Sequence, residues 1–202
     1  MASYMKNLLK KLCVLKMAPV SPDMEKFSEI VCKELAFTVR EYESGREFNG
    51  WVVPQNWFAK KALIKKDGKI VYDGMAHPLG VISYSQSFKG AVSLDELNKH
   101  LFFKESKPNA IVYHCDLYYK VGQKNWGFGM PLNQIKNLTP GKYDVELETV
   151  HENGKMKVFD YFIKGQTDET IIFNAHNCHA GQANDDISGV VVVIELMRML
   201  SK

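Results

Sequence analysis

The feature that most restricts the fold of this chain is a short apolar run followed by a polar loop and a long apolar stretch. The run Thr170–Phe173 is continuous rather than alternating, which predicts a strand buried on both faces. The stretch from Asp186 to Leu200 contains only Glu195 and Arg198 as further charged residues, and this predicts a helix covered on most sides. A buried strand that leads into a buried helix indicates an α/β fold.

A second strand is predicted upstream of this run. Tyr143, Val145, Leu147 and Thr149 alternate with acidic residues, so one face of the strand is expected to be buried and the other wet. Asn153-Gly154 follows and predicts a hairpin turn into a partner strand over 156–163.

The region from Phe37 to Pro140 contains short β-type segments separated by turn residues. Asp67-Gly68 lies between two apolar runs and predicts a hairpin. We expect further strands at 80–84 and 110–113, and a short helix at 93–101 that is capped by Ser93. The region is rich in aromatic residues, which could bind a sugar or a base, although core packing is their commoner role; they are Trp51, Trp57, Tyr84, Tyr118, Tyr119, Trp126 and Phe128.

The N-terminal region is predicted to be helical. Lysines interrupt the apolar residues of 1–17, which favours an amphipathic helix. Ser21-Pro22-Asp23 is typical of a helix start that is capped by the serine. Apolar residues then recur at helical spacing and predict one buried face, formed by Met24, Phe27, Val31 and Leu35.

Composition and charge narrow the functional classes. An apolar fraction of 46% and a charged fraction of 24% are typical of a soluble globular protein. The net charge of +3 gives no strong field, so we expect neither nucleic-acid nor membrane binding. The four cysteines are widely spaced and the start of the chain has no continuous apolar segment, which together predict a cytoplasmic protein with reduced thiols.

Potential metal ligands gather directly after the predicted buried strand. His176, Cys178, His179, Asp185 and Asp186 lie within a short segment. In open α/β sheets, ligands bind beyond the carboxyl ends of the strands. Imidazole and carboxylate groups are ligands that suit zinc, so the segment is a candidate metal site.

The sequence from His176 to Gly189 resembles the first metal-binding segment of the zinc-dependent aminopeptidase superfamily. In that segment a histidine ends a central strand, an aspartate opens the next helix, and Ser-Gly follows. The resemblance implies the N-terminal portion of a zinc-exopeptidase-like mixed-sheet sandwich with an inserted β-rich domain. It also implies that His176 binds one metal and that Asp185 bridges two, so that the cofactor is one or two zinc ions.

A closer resemblance is to bacterial aminopeptidase-like-domain proteins associated with polysaccharide biosynthesis. They share the His-x-Cys-His and Ala-Asn-Asp patterns found here. The resemblance implies N-terminal helices over 1–38, the inserted β-rich domain over 39–140, and the first strands, metal loop and helix over 141–202. Its other motifs are Ser44-Gly45, Trp51-Val52-Val53-Pro54 with Trp57, Val81-Ile82-Ser83-Tyr84-Ser85, and Tyr118-Tyr119 with Trp126-Gly127-Phe128.

The sequence departs from these families at three places. The aspartate that usually orients the metal-binding histidine is replaced by Cys178, and a thiol does not hold an imidazole as a carboxylate does. Ala180 replaces a proline, and Met17-Ala18-Pro19-Val20 replaces an arginine-rich segment.

Each site residue has an alternative role. His176 could be a hydrogen-bonded histidine at a strand end, and Asp185 could cap the last helix. Asp186 could be a first-turn acid or support the ligands. Cys178 is expected to be a small buried residue, and support of a ligand or contact with the substrate is its alternative role. It should not form a dyad with His179, because neighbours on an extended segment face opposite sides. His179 stays open between supporting a ligand, contacting substrate and a structural role.

The resemblance accounts for only two ligands of a site that needs more. A catalytic zinc usually has three protein ligands, and the superfamily's remaining ligands and general base follow the helix that ends here near Lys202. We therefore expect a truncated, inactive portion of a metallohydrolase that acts on a peptide or on an aminoacyl or N-acyl amide. Two other hypotheses are a non-catalytic binding module for a carbohydrate or protein, and a subunit completed by a second chain or by a homo-oligomer.

Overall fold

The chain divides into two compact units in the computed structural model, which describes residues 2–115, 125–181 and 183–201. Unit 1 comprises Met1–Asn56 and Asn153–Lys202, and unit 2 comprises Trp57–Glu152. Helices occur beside several separate β-sheets, which confirms the mixed α/β class. The zinc-exopeptidase topology and the division at 1–38, 39–140 and 141–202 stay predictions.

The secondary structure of the described residues consists of short helices and mostly short strands. The helices are α1 (Ala2–Leu12), α2 (Asp23–Val31), α3 (Leu94–Asn98), α4 (Leu132–Ile135) and α5 (Ser188–Leu200). The strands are β1 (Thr38–Glu43), β2 (Glu47–Phe48), β3 (Trp51–Val52), β4 (Asn56–Lys66), β5 (Lys69–Asp73), β6 (Phe88–Ser93), β7 (Leu101–Phe102), β8 (Phe128–Gly129), β9 (Lys142–Glu152) and β10 (Lys155–Asp160).

The core of unit 1 lies where the two N-terminal helices meet α5. The predicted apolar face of α2 is confirmed, because Met24, Phe27, Val31 and Leu35 are all buried. They join one apolar cluster with residues of α1 and of the C-terminal region; the other buried members are Leu8, Leu12, Leu15, Met17, Ile187, Val191 and Ile194. Residues from both ends of the sequence therefore share a single core.

The start of α2 differs from the prediction in one detail. Pro22 is the N-cap residue, and no side chain caps the helix. The Ser21 hydroxyl instead accepts a hydrogen bond from the backbone N–H of Ala18 at 3.2 Å. The Asp23 carboxylate accepts one from the N–H of Lys16 at 2.8 Å. The serine thus fixes the turn that precedes the helix rather than the helix end.

The strands of unit 1 form two small antiparallel sheets. β1 pairs with β10, in a register that places Thr38 opposite Asp160 and Glu43 opposite Lys155. β2 pairs with β3 across Asn49-Gly50, and both turn residues have positive φ, as a tight hairpin turn requires. The predicted hairpin of β9 with the strand after Asn153-Gly154 is therefore wrong, because β10 takes β1 as its partner.

Unit 2 is built on a four-stranded sheet in the order β5-β4-β9-β6. The hairpin predicted at Asp67-Gly68 is confirmed, since β4 and β5 pair antiparallel across these residues and both have positive φ. The alternation predicted for β9 is also confirmed, because Tyr143, Val145 and Leu147 are buried. Ser93 caps α3 by accepting a hydrogen bond from the N–H of Glu96 at 3.2 Å, as expected.

Two predicted strands of unit 2 are absent from the described residues. Residues 80–84 form turns rather than a strand. The N–H of Gly80 donates to the carbonyl of His77, and that of Ser85 donates to the carbonyl of Ile82. Residues 110–113 also have no strand pairing, and the N–H of Ala110 closes a turn on Lys107. Turn hydrogen bonds, together with long-range bonds from the N–H of Ile82 to the carbonyl of Gly127 and from the N–H of Gly129 to the carbonyl of Gly80, replace regular strand pairing.

The aromatic residues of unit 2 pack mainly in its interior. Trp57, Trp126 and Phe128 are buried. The Trp126 ring stacks on Phe88 at 4.5 Å between centroids and on the His100 ring at 3.7 Å. Core packing is therefore the observed role of these three residues, whereas Trp51, in unit 1, is 38% exposed. Tyr118 and Tyr119 lie outside the described residues.

The predicted buried strand at Thr170–Phe173 is wrong for the structure as described. These residues have no regular secondary structure, and Ile171 and Ile172 are 81% and 82% exposed. Helix α5 is present as expected, with Val191 and Ile194 buried, but Val192, Met199 and Leu200 are exposed. An apolar run needs neighbouring strands on both sides to be covered, and within the described residues it has none.

No helix among the described residues is long and apolar enough to cross a membrane.

Candidate metal site

The candidate site lies in unit 1, on the irregular segment that leads into α5. Residues 174–181 form no helix or strand. The segment Ala183–Ile187 then leads into α5, and its backbone is kinked, with non-helical φ and ψ at Asp185 and Asp186. Ile187 is only 3% exposed and belongs to the apolar cluster of unit 1. This anchor fixes the residues immediately before it, Asp185 and Asp186, relative to the helix.

His176 and Asp185 converge. The His176 Nε2 atom lies 3.0 Å from the Asp185 Oδ1 atom, and both side chains are about half exposed. Zinc binds nitrogen and oxygen ligands at about 2.0–2.2 Å, so two ligand atoms on one tetrahedral ion lie about 3.3 Å apart. The separation therefore fits two atoms that share one zinc ion. Metal binding itself stays a prediction.

His179 lies on the buried side of the same carboxylate. Its side chain is 6% exposed, and its Nε2 atom lies 3.9 Å from Asp185 Oδ1. The rings of His176 and His179 are tilted, with centroids 5.5 Å apart. Burial lowers the pKa of His179, which favours the neutral imidazole, the form that binds metal ions.

Cys178 lies beside the candidate ligand His176. Its Sγ atom lies 3.5 Å from the Nδ1 atom of His176, beside the nitrogen that does not face Asp185. Burial raises the pKa of the Cys178 thiol, so the uncharged thiol is favoured over a nucleophilic thiolate. Cys178 contacts the candidate ligand directly and is not merely a small buried residue.

The premise that Cys178 and His179 face opposite sides is also wrong. Potential ligand atoms of His176, Cys178 and His179 lie within 4.8 Å of one another. Among the described residues, these three side chains form the group that could hold a metal ion. Alternation across a strand requires an extended segment, whereas the chain bends at His179 and Ala180. The bend brings neighbouring side chains to one side.

Asp186 holds the backbone of the candidate ligand. Its Oδ2 atom accepts a hydrogen bond from the N–H of His176 at 3.2 Å. The carboxylate also lies against Gly189, where a Cβ atom would overlap it. The Ser188-Gly189 motif thus has a steric reason that the sequence interpretation did not identify, because the absent side chain leaves room for Asp186.

Histidines outside this segment have structural roles. His100 bonds the carbonyl of Trp126 at 2.9 Å and faces Glu96 at 3.3 Å. His151 contacts the carbonyl of Ser85 at 3.1 Å, and His77 accepts a hydrogen bond from the N–H of Leu79.

Comparison with known proteins identifies the middle of the chain. A family model described as "Domain of unknown function (DUF2172)" matches residues 56–150. The matched residues coincide closely with unit 2, Trp57–Glu152, and the candidate site lies outside them.

Two relatives from Clostridium acetobutylicum extend the similarity beyond the residues that match the DUF2172 model. One is named "Putative polysaccharide biosynthesis protein with aminopeptidase-like domain", with 29% identity over 97% of this chain and 44% of the relative. The other is a crystal structure titled as that of a "putative peptidase", with 27% identity and a TM-score of 0.86 over 98% of this chain and 46% of that chain. The predicted resemblance to aminopeptidase-like-domain proteins is confirmed, and the chain spans less than half the length of either relative.

Proposed function

We propose that this chain supplies the first zinc ligands of an aminopeptidase-like hydrolase that acts on a peptide or on an aminoacyl or N-acyl amide. The observation that carries the proposal is the 3.0 Å approach of His176 Nε2 to Asp185 Oδ1. The names of the two relatives, an aminopeptidase-like domain and a peptidase, support the same reaction class. A zinc ion bound there supplies a Lewis acid and a water of lowered pKa.

The residues of this chain bind and orient in that proposal. His176 and Asp185 offer one nitrogen and one oxygen ligand, and Asp186 fixes the main chain of His176. Both ligand side chains are about half exposed, so a substrate can reach an ion held between them. We propose that the zinc-exopeptidase-like topology, with unit 2 as the inserted domain, brings the general base and further ligands from sequence corresponding to the unmatched part of the relatives.

The proposal is tested by zinc binding. We expect the chain, stripped of metal, to bind zinc with a micromolar or lower Kd in calorimetric titration. His176→Ala and Asp185→Asn should each lose this binding, because each removes one ligand. His77→Ala, which removes an imidazole from unit 2, is the matched control and should bind zinc as the unmodified chain does.

A wild-type chain that binds no zinc at micromolar concentration would refute the proposal. So would variants at His176 and Asp185 that bind zinc as tightly as the His77 control. The competing hypothesis of a carbohydrate-binding module gains no support from Trp57 and Trp126, because both rings are buried and offer no exposed stacking surface.

A further inference from the structure

Two imidazoles approach one carboxylate oxygen in the candidate site. The Nε2 atoms of His176 and His179 lie 3.0 Å and 3.9 Å from Asp185 Oδ1. These distances lie on either side of the separation of about 3.3 Å expected for two ligands of a tetrahedral zinc ion.

We propose that His179 is a third zinc ligand, so that His176, His179 and Asp185 together form a metal centre within one short segment. The inference rests on the proposed function, since it adds a ligand to the same ion. Two histidines and one carboxylate form a ligand set found in catalytic zinc sites, where the fourth position is left open. The same three groups leave the ion a net positive charge, which favours a carbonyl oxygen or hydroxide at that position.

The geometry selects His179 rather than Cys178 as the third ligand. The Cys178 Sγ atom lies on the Nδ1 side of the His176 ring, whereas Asp185 lies on its Nε2 side. The two nitrogens of an imidazole direct their lone pairs to different sides of the ring, so an ion bound at Nε2 does not meet a thiol at Nδ1. His179 presents its Nε2 atom to the same carboxylate oxygen that His176 contacts.

Burial gives the three ligands different roles. The side chain of His179 is 6% exposed, against 47% for His176 and 55% for Asp185. A packed ring is held in one orientation and loses little side-chain entropy when it binds an ion. The two more exposed ligands face the solvent side, where a substrate would approach.

The test compares variants of His179 with a variant of His176. We would titrate the metal-free chain with zinc against a chromophoric chelator, using His179→Ala, His179→Gln, His176→Ala and the control His77→Ala. His179→Gln keeps a buried polar side chain of similar size in case the alanine variant fails to fold, and circular dichroism reports folding. The zinc Kd should rise at least about tenfold in the folded His179 variants, since even the loss of a group that only supports a ligand costs about 10–100-fold.

Cobalt provides an independent readout. Co²⁺ at a four-coordinate site with two histidines and one aspartate should give visible d–d bands that weaken in His179→Gln and show no sulfur-to-cobalt charge-transfer band. Unchanged zinc affinity in His179→Gln, together with loss of binding in His176→Ala, would overturn the third ligand and leave the proposed function standing. A charge-transfer band that disappears in Cys178→Ser would overturn it in favour of thiol ligation, and a wild-type chain that binds no zinc would overturn both.

Discussion

The Cys178 thiol lies 3.5 Å from Nδ1 of His176, on the side of the ring away from Asp185. Metal-binding histidines usually donate their second ring N–H to a carboxylate, a carbonyl or a water, which fixes the ring and raises its basicity. A thiol is a weak hydrogen-bond partner. The position of the usual orienting group is therefore occupied here by a weaker one.

Replacing this thiol should change zinc affinity in both directions. Cys178→Asp puts a carboxylate beside Nδ1 of His176, so we expect zinc to bind about tenfold more tightly. Cys178→Ala removes the contact, so we expect zinc to bind about 10–100-fold more weakly, as on the loss of other groups that support a ligand. Calorimetric titration with zinc measures both, and Cys32→Ala, at an exposed cysteine, is the control. Equal affinities in all these variants would show that the thiol does not orient the histidine.

Removal of the Asp186 carboxylate should loosen the metal loop. Asp186→Ala leaves the N–H of His176 without this acceptor, and we expect a loss of about 1 kcal/mol in unfolding free energy together with weaker zinc binding. Asp186→Asn keeps an acceptor oxygen, so its unfolding free energy and its zinc affinity should lie between those of the wild type and those of Asp186→Ala. Urea denaturation and zinc titration of the same preparations check this. An alanine variant with unchanged zinc affinity would contradict the role given to Asp186.

The acidic side chain of Glu146 should make the stability of unit 2 depend on pH. Ion pairs with Lys61 and Lys65 lower the pKa of Glu146 from 4.5 to about 2. Because the folded pKa lies below the unfolded one, the contribution is complete above about pH 4.5 and is lost as the pH falls towards about 2. The urea midpoint of Glu146→Gln should therefore decrease less than that of the wild type as the pH falls from about 4.5 towards about 2.

The control for this pH experiment is Glu105→Gln, at an exposed loop position. It should keep the wild-type slope of urea midpoint against pH. If the glutamine variant at position 146 showed the same slope as wild type, the ion pairs would contribute nothing to stability in acid.

Gly80 should tolerate no side chain. A Cβ atom there would overlap the backbone carbonyl of Gly74, and backbone cannot move aside as a flexible side chain does, so Gly80→Ala should cost about 1–3 kcal/mol of unfolding free energy. At Gly90 a Cβ atom would lie 3.4 Å from the Phe88 ring, an ordinary contact. Gly90→Ala is the matched control in thermal and urea unfolding. Equal destabilisation by the two substitutions would contradict the steric argument.

Local sequence signals predicted elements whose stabilising contacts are also local. The β4–β5 hairpin follows from Asp67-Gly68, and the buried face of α2 follows from residues at helical spacing. The partner of β10 could not be predicted in this way. Asn153-Gly154 favours a turn, but the pairing of β10 with β1 joins Thr38 to Asp160, and no local pattern encodes a partner so distant in sequence.

The sequence proposed the candidate ligands but only part of their arrangement, and their role as ligands stays a prediction. The motif around Asp185 and Gly189 identified His176 and Asp185, which the structure brings to 3.0 Å. The approach of His179 to Cys178 was missed because the segment was interpreted as extended, which places neighbouring side chains on opposite faces. A bend at His179 follows from the tertiary course of the loop rather than from residue alternation.

The burial of Ile187 in the core formed by α1, α2 and α5 makes the metal loop dependent on residues near the beginning of the sequence. Leu8 and Leu12 lie in the same core, almost the whole length of the chain away from Asp185. A cavity made under α1 would let the start of α5 shift, and the carboxylates at its entrance would shift with it. Substitutions in α1 would thus misalign the candidate ligands, although the substituted residues do not contact the site.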